Sequence, residues 1–217
     1  MEAEFWHKRW QSGRIGFHQG QVNRMLERYH DRLPVAAGAR FFVPLCGKTR
    51  DIAWLLEQGY RVAGAELSGL AIGQLFDEMG LTAEVTQHGP LRRHAAQGVE
   101  VFEGDIFDLD AETLGPIDAV FDRAALVALP EEVRGRYCAH LSLITANAPQ
   151  LLVSFVYDQS AMSGPPFSVP DAEIFRHYRS TYEISLLADV DVEGGLKGIC
   201  PAREKAWLLM PAQSVSG

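Results

Sequence analysis

The chain reads as an α/β protein built on a doubly wound, mostly parallel sheet of seven strands, with an antiparallel hairpin at its C-terminal end and a helical cover at its N-terminus. Three observations predict this. Short apolar runs alternate with amphipathic helical stretches along most of the chain. Residues 40 to 68 form the clearest unit, a strand, a tight loop, a helix and a second strand that ends on a carboxylate. Near the C-terminus two further strand-like runs are separated by a glycine-rich turn, which suits a hairpin better than a crossover.

Residues 2 to 12 place Phe5, Trp6 and Trp10 on one side of a short helix, either to pack on the sheet edge or to close over a ligand. A glycine-punctuated connector with Phe17 and His18 follows, and Val22, Met25, Leu26 and Tyr29 then give a second amphipathic helix. Phe41 to Leu45 suits a buried strand, Gly47 allows a turn, and Thr49 can cap a helix carrying Ile52, Leu55 and Leu56. Arg61 to Ala65 is the next strand, with Glu66 at its carboxyl end. A helix through Leu70, Ile72, Leu75, Phe76 and Met79 stops at Gly80. Leu81 to Gly98 is polar and irregular and reads as a solvated excursion. Val99 to Glu103 and Ile117 to Phe121 are strands, Pro130 opens a helix, and Gln150 to Tyr157 is an inner strand. The proline-rich run from 163 to 170 must be a loop, Asp171 caps a helix through Tyr178, and 181 to 190 with 205 to 210 form the closing pair of strands. No repeat or linker divides the chain, so residues 1 to 217 are expected to form one domain, with 1 to 35 as its cover or lid.

Composition narrows the classes. Hydrophobic residues at 47% and charged residues at 22% are ordinary for a globular protein, and a net charge of -8 argues against gripping a phosphate backbone. Cys46, Cys138 and Cys200 are far apart and odd in number, which argues against a disulfide framework or a zinc site. The N-terminal stretch lacks a signal-peptide core and no segment is apolar for membrane-spanning length. These features point to the cytoplasm, without a nucleic-acid, membrane or metal partner.

Cys46-Gly-Lys-Thr49 looks like the end of a phosphate-binding loop, but the glycine needed five residues before the Gly-Lys pair is Phe42. The dinucleotide pattern also fails, because Gly47 is the one glycine of the first turn. A nucleoside ligand without a pyrophosphate fits better, and a nicotinamide-dependent oxidoreductase fits worse. Glu66 follows Gly47 at about the interval where a Rossmann-type carboxylate takes both ribose hydroxyls, its alternative being a surface glutamate. Asp105 can accept from an adenine amino group while Ile106 covers a ring face, or it can only shape a turn. Asp122 and Arg123 place charges where a second reactant would meet the nucleoside, though Arg123 could equally pair with Asp122 or Asp105. His18 is a candidate base or hydrogen-bonding group, and Cys46 a candidate nucleophile or a small packing residue.

Together, Phe5-Trp6 with Trp10, Gly16-Phe-His-Gln19, Val43-Pro-Leu-Cys-Gly-Lys48, Gly64-Ala-Glu-Leu-Ser68, Gly104-Asp-Ile-Phe107 and Phe121-Asp-Arg-Ala-Ala-Leu-Val-Ala-Leu129 resemble the thiopurine S-methyltransferase family of class I S-adenosylmethionine-dependent methyltransferases, bacterial type. The resemblance implies a Rossmann-like fold and S-adenosyl-L-methionine as cofactor, released as S-adenosyl-L-homocysteine. It implies that Trp10, Leu45, Glu66, Ile106 and Arg123 contact the cofactor, that Phe17 lines the acceptor pocket, and that the N-terminal aromatics act as a lid. The partner it implies is a small aromatic thiol taken up by a monomer, with selenium or tellurium species, other small thiols and halides as alternative acceptors. A non-catalytic cofactor-binding module is the alternative of another class. Animal members carry a second arginine near the acceptor, whereas the matching stretch here offers Lys197, with Arg203 further on.

Overall fold

The computed structural model describes residues 3–13, 15 and 20–212. Nine strands form one sheet in the order β3-β4-β5-β2-β1-β6-β7-β9-β8: β1 (Arg40–Val43), β2 (Arg61–Glu66), β3 (Glu84–His88), β4 (Leu91–Ala96), β5 (Val99–Glu103), β6 (Ala119–Arg123), β7 (Gln150–Tyr157), β8 (Tyr182–Asp191) and β9 (Ala202–Pro211). The five central strands β5, β2, β1, β6 and β7 run parallel, and antiparallel strands flank them on both sides. The chain winds outward from β1 to one side through β2 and β5 and then returns to the other side through β6 and β7. The crevice between β1 and β6 is therefore the switch point of the sheet, where open α/β folds hold their ligands.

The helices are α1 (Ala3–Gln11), α2 (Arg24–Tyr29), α3 (Arg50–Glu57), α4 (Gly69–Glu78), α5 (Ala111–Leu114), α6 (Glu131–Ile144) and α7 (Asp171–Tyr178). Alternation along the strands separates two cores. Phe41, Val43, Val62, Phe121 and Val153 pack on one face against Met25, Ile52 and Ile72 from α2, α3 and α4. Phe42, Ala63, Val120 and Leu152 pack on the other against Tyr137 of α6 and Ile174 of α7. Local capping sets where the site-forming helices start: Thr49 Oγ1 accepts from the Asp51 N–H at 3.3 Å, and Ser68 Oγ accepts from the Ala71 N–H at 3.3 Å.

The sequence reading needs two corrections here. The sheet has nine strands rather than seven, because residues 84 to 96 are a hairpin and not a solvated excursion. Apolar period 2 is missing from it, and polar side chains join its second strand to β5: Arg93 Nε lies 2.5 Å from Glu100 Oε2, and His94 Nε2 lies 2.7 Å from Glu103 Oε2. Arg92 also pairs with Glu103. The last strand is likewise longer than read, because Ala202 and Arg203 continue the ladder to Tyr157 and Val156. Among the described residues no helix is long and apolar enough to cross a membrane.

Candidate active site

A cavity of about 880 Å³ opens at the C-terminal ends of β1, β2, β6 and β7. It has two halves of different construction.

The first half is the loop after β1 and the end of β2. Leu45 and Gly47 both adopt positive φ, 46° and 54°, which folds the loop back on itself. The Cys46 N–H donates to the Ala65 carbonyl at 2.9 Å, fastening the loop to β2. Glu66, 6% exposed, then accepts from both sides of the crevice: Oε2 from the Gly47 N–H and Oε1 from the Ser68 N–H, each at 2.8 Å. Burial pushes this carboxyl up to about 7 against the pull of those N–H groups, so small changes around it change its charge. The Trp10 ring lies over Gly47 so closely that a Cβ there would come 3.0 Å from its Cζ2. Lys48 is drawn away from the loop by Glu78, at 2.7 Å.

This geometry tests the cofactor. A phosphate cradle presents free backbone N–H groups. Here the Gly47 N–H is already given to a carboxylate and is not free for a phosphate. A nucleoside whose hydroxyls can donate to Glu66 fits the loop, and a dinucleotide does not.

The second half is built from β6, β7, β9 and two loops. On β6 the neighbours Asp122 and Arg123 point to opposite faces. Asp122 is fully buried, accepting from the Tyr137 hydroxyl at 2.8 Å and the Leu126 N–H at 3.1 Å, and burial pushes it up to about 6. Arg123 turns into the cavity and forms no ion pair with Asp122 or Asp105; its neighbours in the electrostatic sense are Asp51 and Glu204. Burial lowers its pKa, yet a guanidinium stays charged at neutral pH. Ala124 follows at φ 61°. Val127, Phe155, Pro165, Pro166 and Leu196 give this half apolar walls. The proline loop is pinned on three sides: the Phe167 N–H donates to Val127 O at 2.7 Å, Tyr157 Oη to Pro166 O at 2.7 Å, and Lys197 Nζ to Pro165 O at 2.7 Å. Beneath it, buried Arg134 donates to Leu129 O and to Glu173, both at 2.8 Å.

Of the residues singled out in the sequence, Trp10, Leu45, Glu66, Arg123 and Lys197 line the cavity. Ile106 does not: it is 2% exposed and packs in the core with Ala65 and Phe102. Asp105 caps the turn that follows β5, accepting from the Phe107 N–H at 3.1 Å, which is the turn-shaping alternative. Phe17 and His18 lie outside the described residues. Cys46 is buried against Gly64 and its thiol is pushed well up by burial and the nearby Glu66, which suits packing and not a nucleophile. All three cysteines are free and buried. Sequence reasoning passed over Asn23, Arg24, Asp51 and Glu204, which also line the cavity. Asp51, two residues past a capping threonine, carried a local signal, whereas Glu204 on a closing strand carried none.

The fold is shared with solved S-adenosylmethionine-dependent methyltransferases. The 1,6-didemethyltoxoflavin-N1-methyltransferase of Burkholderia thailandensis, solved with its heterocycle and S-adenosylhomocysteine, superposes with a TM-score of 0.65 at 16% identity, over 96% of this chain and 87% of that one. A TehB-like S-adenosylmethionine-dependent methyltransferase from Corynebacterium glutamicum superposes with a TM-score of 0.58 at 14% identity, over 97% and 98% of the two chains. Sequence narrows the class. The sequence model of the family described as Thiopurine S-methyltransferase matches residues 1–209, and the chain belongs to that family. It is 57% identical over 210 residues to the thiopurine S-methyltransferase of Xanthobacter autotrophicus, covering 96% of this chain and 99% of the relative. It is 47% identical over 209 residues to that of Gluconobacter oxydans, covering 96% and 95%.

Proposed function

We propose that this chain transfers the methyl group of S-adenosyl-L-methionine to the sulfur of thiopurines and related aromatic or heterocyclic thiols by in-line displacement. The cofactor supplies a methyl carbon activated by its sulfonium. Glu66 would accept from the ribose hydroxyls with the lone pairs its two backbone donors leave open, while Leu45 and the Trp10 ring cover the nucleoside from the loop side. A heterocyclic thiolate then attacks the methyl carbon from the β6 half of the cavity. Its lone pair forms the new S–C bond, the bond to the sulfonium breaks, and that pair stays on the departing sulfur.

The observation that carries this reading is Arg123, a half-buried guanidinium that faces the cavity without a direct ion pair among the described residues. An aromatic thiol is acidic enough to ionise near neutral pH, and a fixed cation beside it favours the thiolate, so no strong protein base is required. Alignment is the main contribution of the protein, and positioning alone can be worth about 7–11 kcal/mol of the barrier. Arg123 is the catalytic residue of this scheme, with Phe17 the acceptor-lining residue implied by family likeness. The enzyme is proposed to work in the cytoplasm as a single-domain monomer, with residues 1 to 35 as its lid.

A transfer assay with labelled methyl group tests it, over a panel of thiopurines, thiophenols and selenium oxyanions. Label on the sulfur of the aromatic thiols is expected. Tight S-adenosylhomocysteine binding with no labelled product from any acceptor would sink the catalytic reading, and preference for NAD would sink the cofactor reading.

A further inference from the structure

Arg123 and Glu204 stand on the same face of the sheet. Arg123 is in register with Val153 of β7 and Val153 with Ala206 of β9, and Glu204 lies two residues along β9 from Ala206. Both line the cavity. Opposite charges so placed in a secluded cleft are expected to close on one another, yet Glu204 is held elsewhere. This carboxylate, 6% exposed, accepts through Oε2 from Arg24 Nη2 at 2.9 Å and Nε at 3.3 Å. Asp51, the other carboxylate near Arg123, is engaged too, Oδ1 by the Asn23 N–H and Oδ2 by the Thr49 hydroxyl, each at 2.7 Å. Asn23 caps α2 and Arg24 is its first residue, so one helix start supplies both partners.

We propose that Arg24 is a positioning residue which, by holding Glu204, keeps Arg123 open for an anionic group of the bound ligands. Without Arg24, Glu204 would be a buried carboxylate short of a partner, an expensive condition that the nearest remaining guanidinium can relieve. Arg123 lines the same cavity and interacts with Glu204 electrostatically, whereas Arg203 is engaged by Asp189 and Asp191 and Lys205 is bound by Asp171 at 2.7 Å. Arg24 itself is largely exposed, so its loss costs the fold little. The inference rests on the S-adenosylmethionine reading of the cavity. The anion can be the carboxylate of the cofactor's methionine moiety or the thiolate of the acceptor.

The test compares Arg24→Gln, Glu204→Gln and the double variant in the full chain. Calorimetry gives the affinity for S-adenosylhomocysteine and for its decarboxylated analogue, and steady-state kinetics gives KM and kcat for an ionised thiophenol. Arg24→Gln is expected to weaken one anionic ligand about tenfold, as loss of a charge-assisted contact does. Glu204→Gln alone should bind at least as well as wild type, and the double variant should return to within about threefold of it. A loss seen with S-adenosylhomocysteine and spared with the decarboxylated analogue identifies the carboxylate; a rise in KM at unchanged S-adenosylhomocysteine affinity identifies the thiolate. A double variant as impaired as Arg24→Gln, or no change in either arm, would overturn the proposal. Failure of wild type to bind S-adenosylhomocysteine would overturn the cofactor reading instead, and with it the ground of the proposal.

Discussion

The two halves of the cavity are built by different means. The half around Glu66 is made from one continuous stretch, with partners 2 and 19 residues from the carboxylate and every bond running to backbone. The half around Arg123 is assembled from segments far apart in the chain, with Arg24 of α2 paired to Glu204 of β9, 180 positions away. Backbone contacts survive most side-chain changes, whereas side-chain contacts are lost one substitution at a time. The first half is therefore the more tolerant of side-chain substitution, and the second the more sensitive to it.

The largest effect is expected in the second half. Arg123→Ala should lower kcat by on the order of 10²-fold, the usual result of losing a fixed charge aimed at the reacting group. S-Adenosylhomocysteine affinity by calorimetry should fall much less, and an equal loss in both would move Arg123 to a purely cofactor role and blur the division between the halves.

Next is Glu66→Ala, which should weaken cofactor binding by about 1–3 kcal/mol, since it removes a charged acceptor and leaves two backbone donors unserved. Unchanged calorimetric affinity would remove Glu66 from the site. The same residue gives a pH signature without ligand. Its folded carboxyl is raised from 4.5 to about 7, so the native state holds a proton that the unfolded chain has released. Its contribution is full below about pH 4.5 and is lost as pH rises through about 7. Thermal unfolding of the ligand-free protein should decline across that window, and Glu66→Gln should flatten the decline.

A steric prediction follows for the loop. A Cβ at Gly64 would lie 2.9 Å from Cys46 Sγ and 3.3 Å from Val101, so Gly64→Ala should cost about 1–3 kcal/mol by overpacking, read as a lower denaturation midpoint. Cys46→Ala in the same chain should recover part of it, and Cys46→Ser alone should keep methyl transfer. The smallest effect is expected at Lys197, an exposed residue that steadies the proline loop through the Pro165 carbonyl. Lys197→Ala should raise acceptor KM a fewfold at constant kcat, about the value of one exposed hydrogen bond.

Legibility followed the same division. The loop after β1, the Thr49 cap and the carboxylate at the end of β2 could be read directly because their determinants are local: apolar run, glycine, cap, spacing. The bounds of strand Gln150–Tyr157 and helix Asp171–Tyr178 were readable too, although Asp171 does not cap: the N-cap is Pro170, and the Asp171 carboxylate binds Lys205 instead. The hairpin of β3 and β4 was hidden because Arg92, Arg93 and His94 are paired with carboxylates of β5, which no periodicity reveals. That Asp122 would serve the core and Arg123 the cavity follows from strand alternation only once the strand's facing is known. Ile106 shows a further limit, since a motif position points to a residue but not to its burial, and the side chain packs in the interior.

Leu45 and Ala124 open the loops after β1 and β6 in left-handed backbone, at φ 46° and 61°, where glycine would be at ease. Each such residue stores on the order of 1–2 kcal/mol that the surrounding packing must hold. Glycine there would give a compliant hinge; a residue with a Cβ gives a stiff spring already compressed against its stop. The floor of the cavity thus behaves as an anvil, resisting deformation where a glycine would yield.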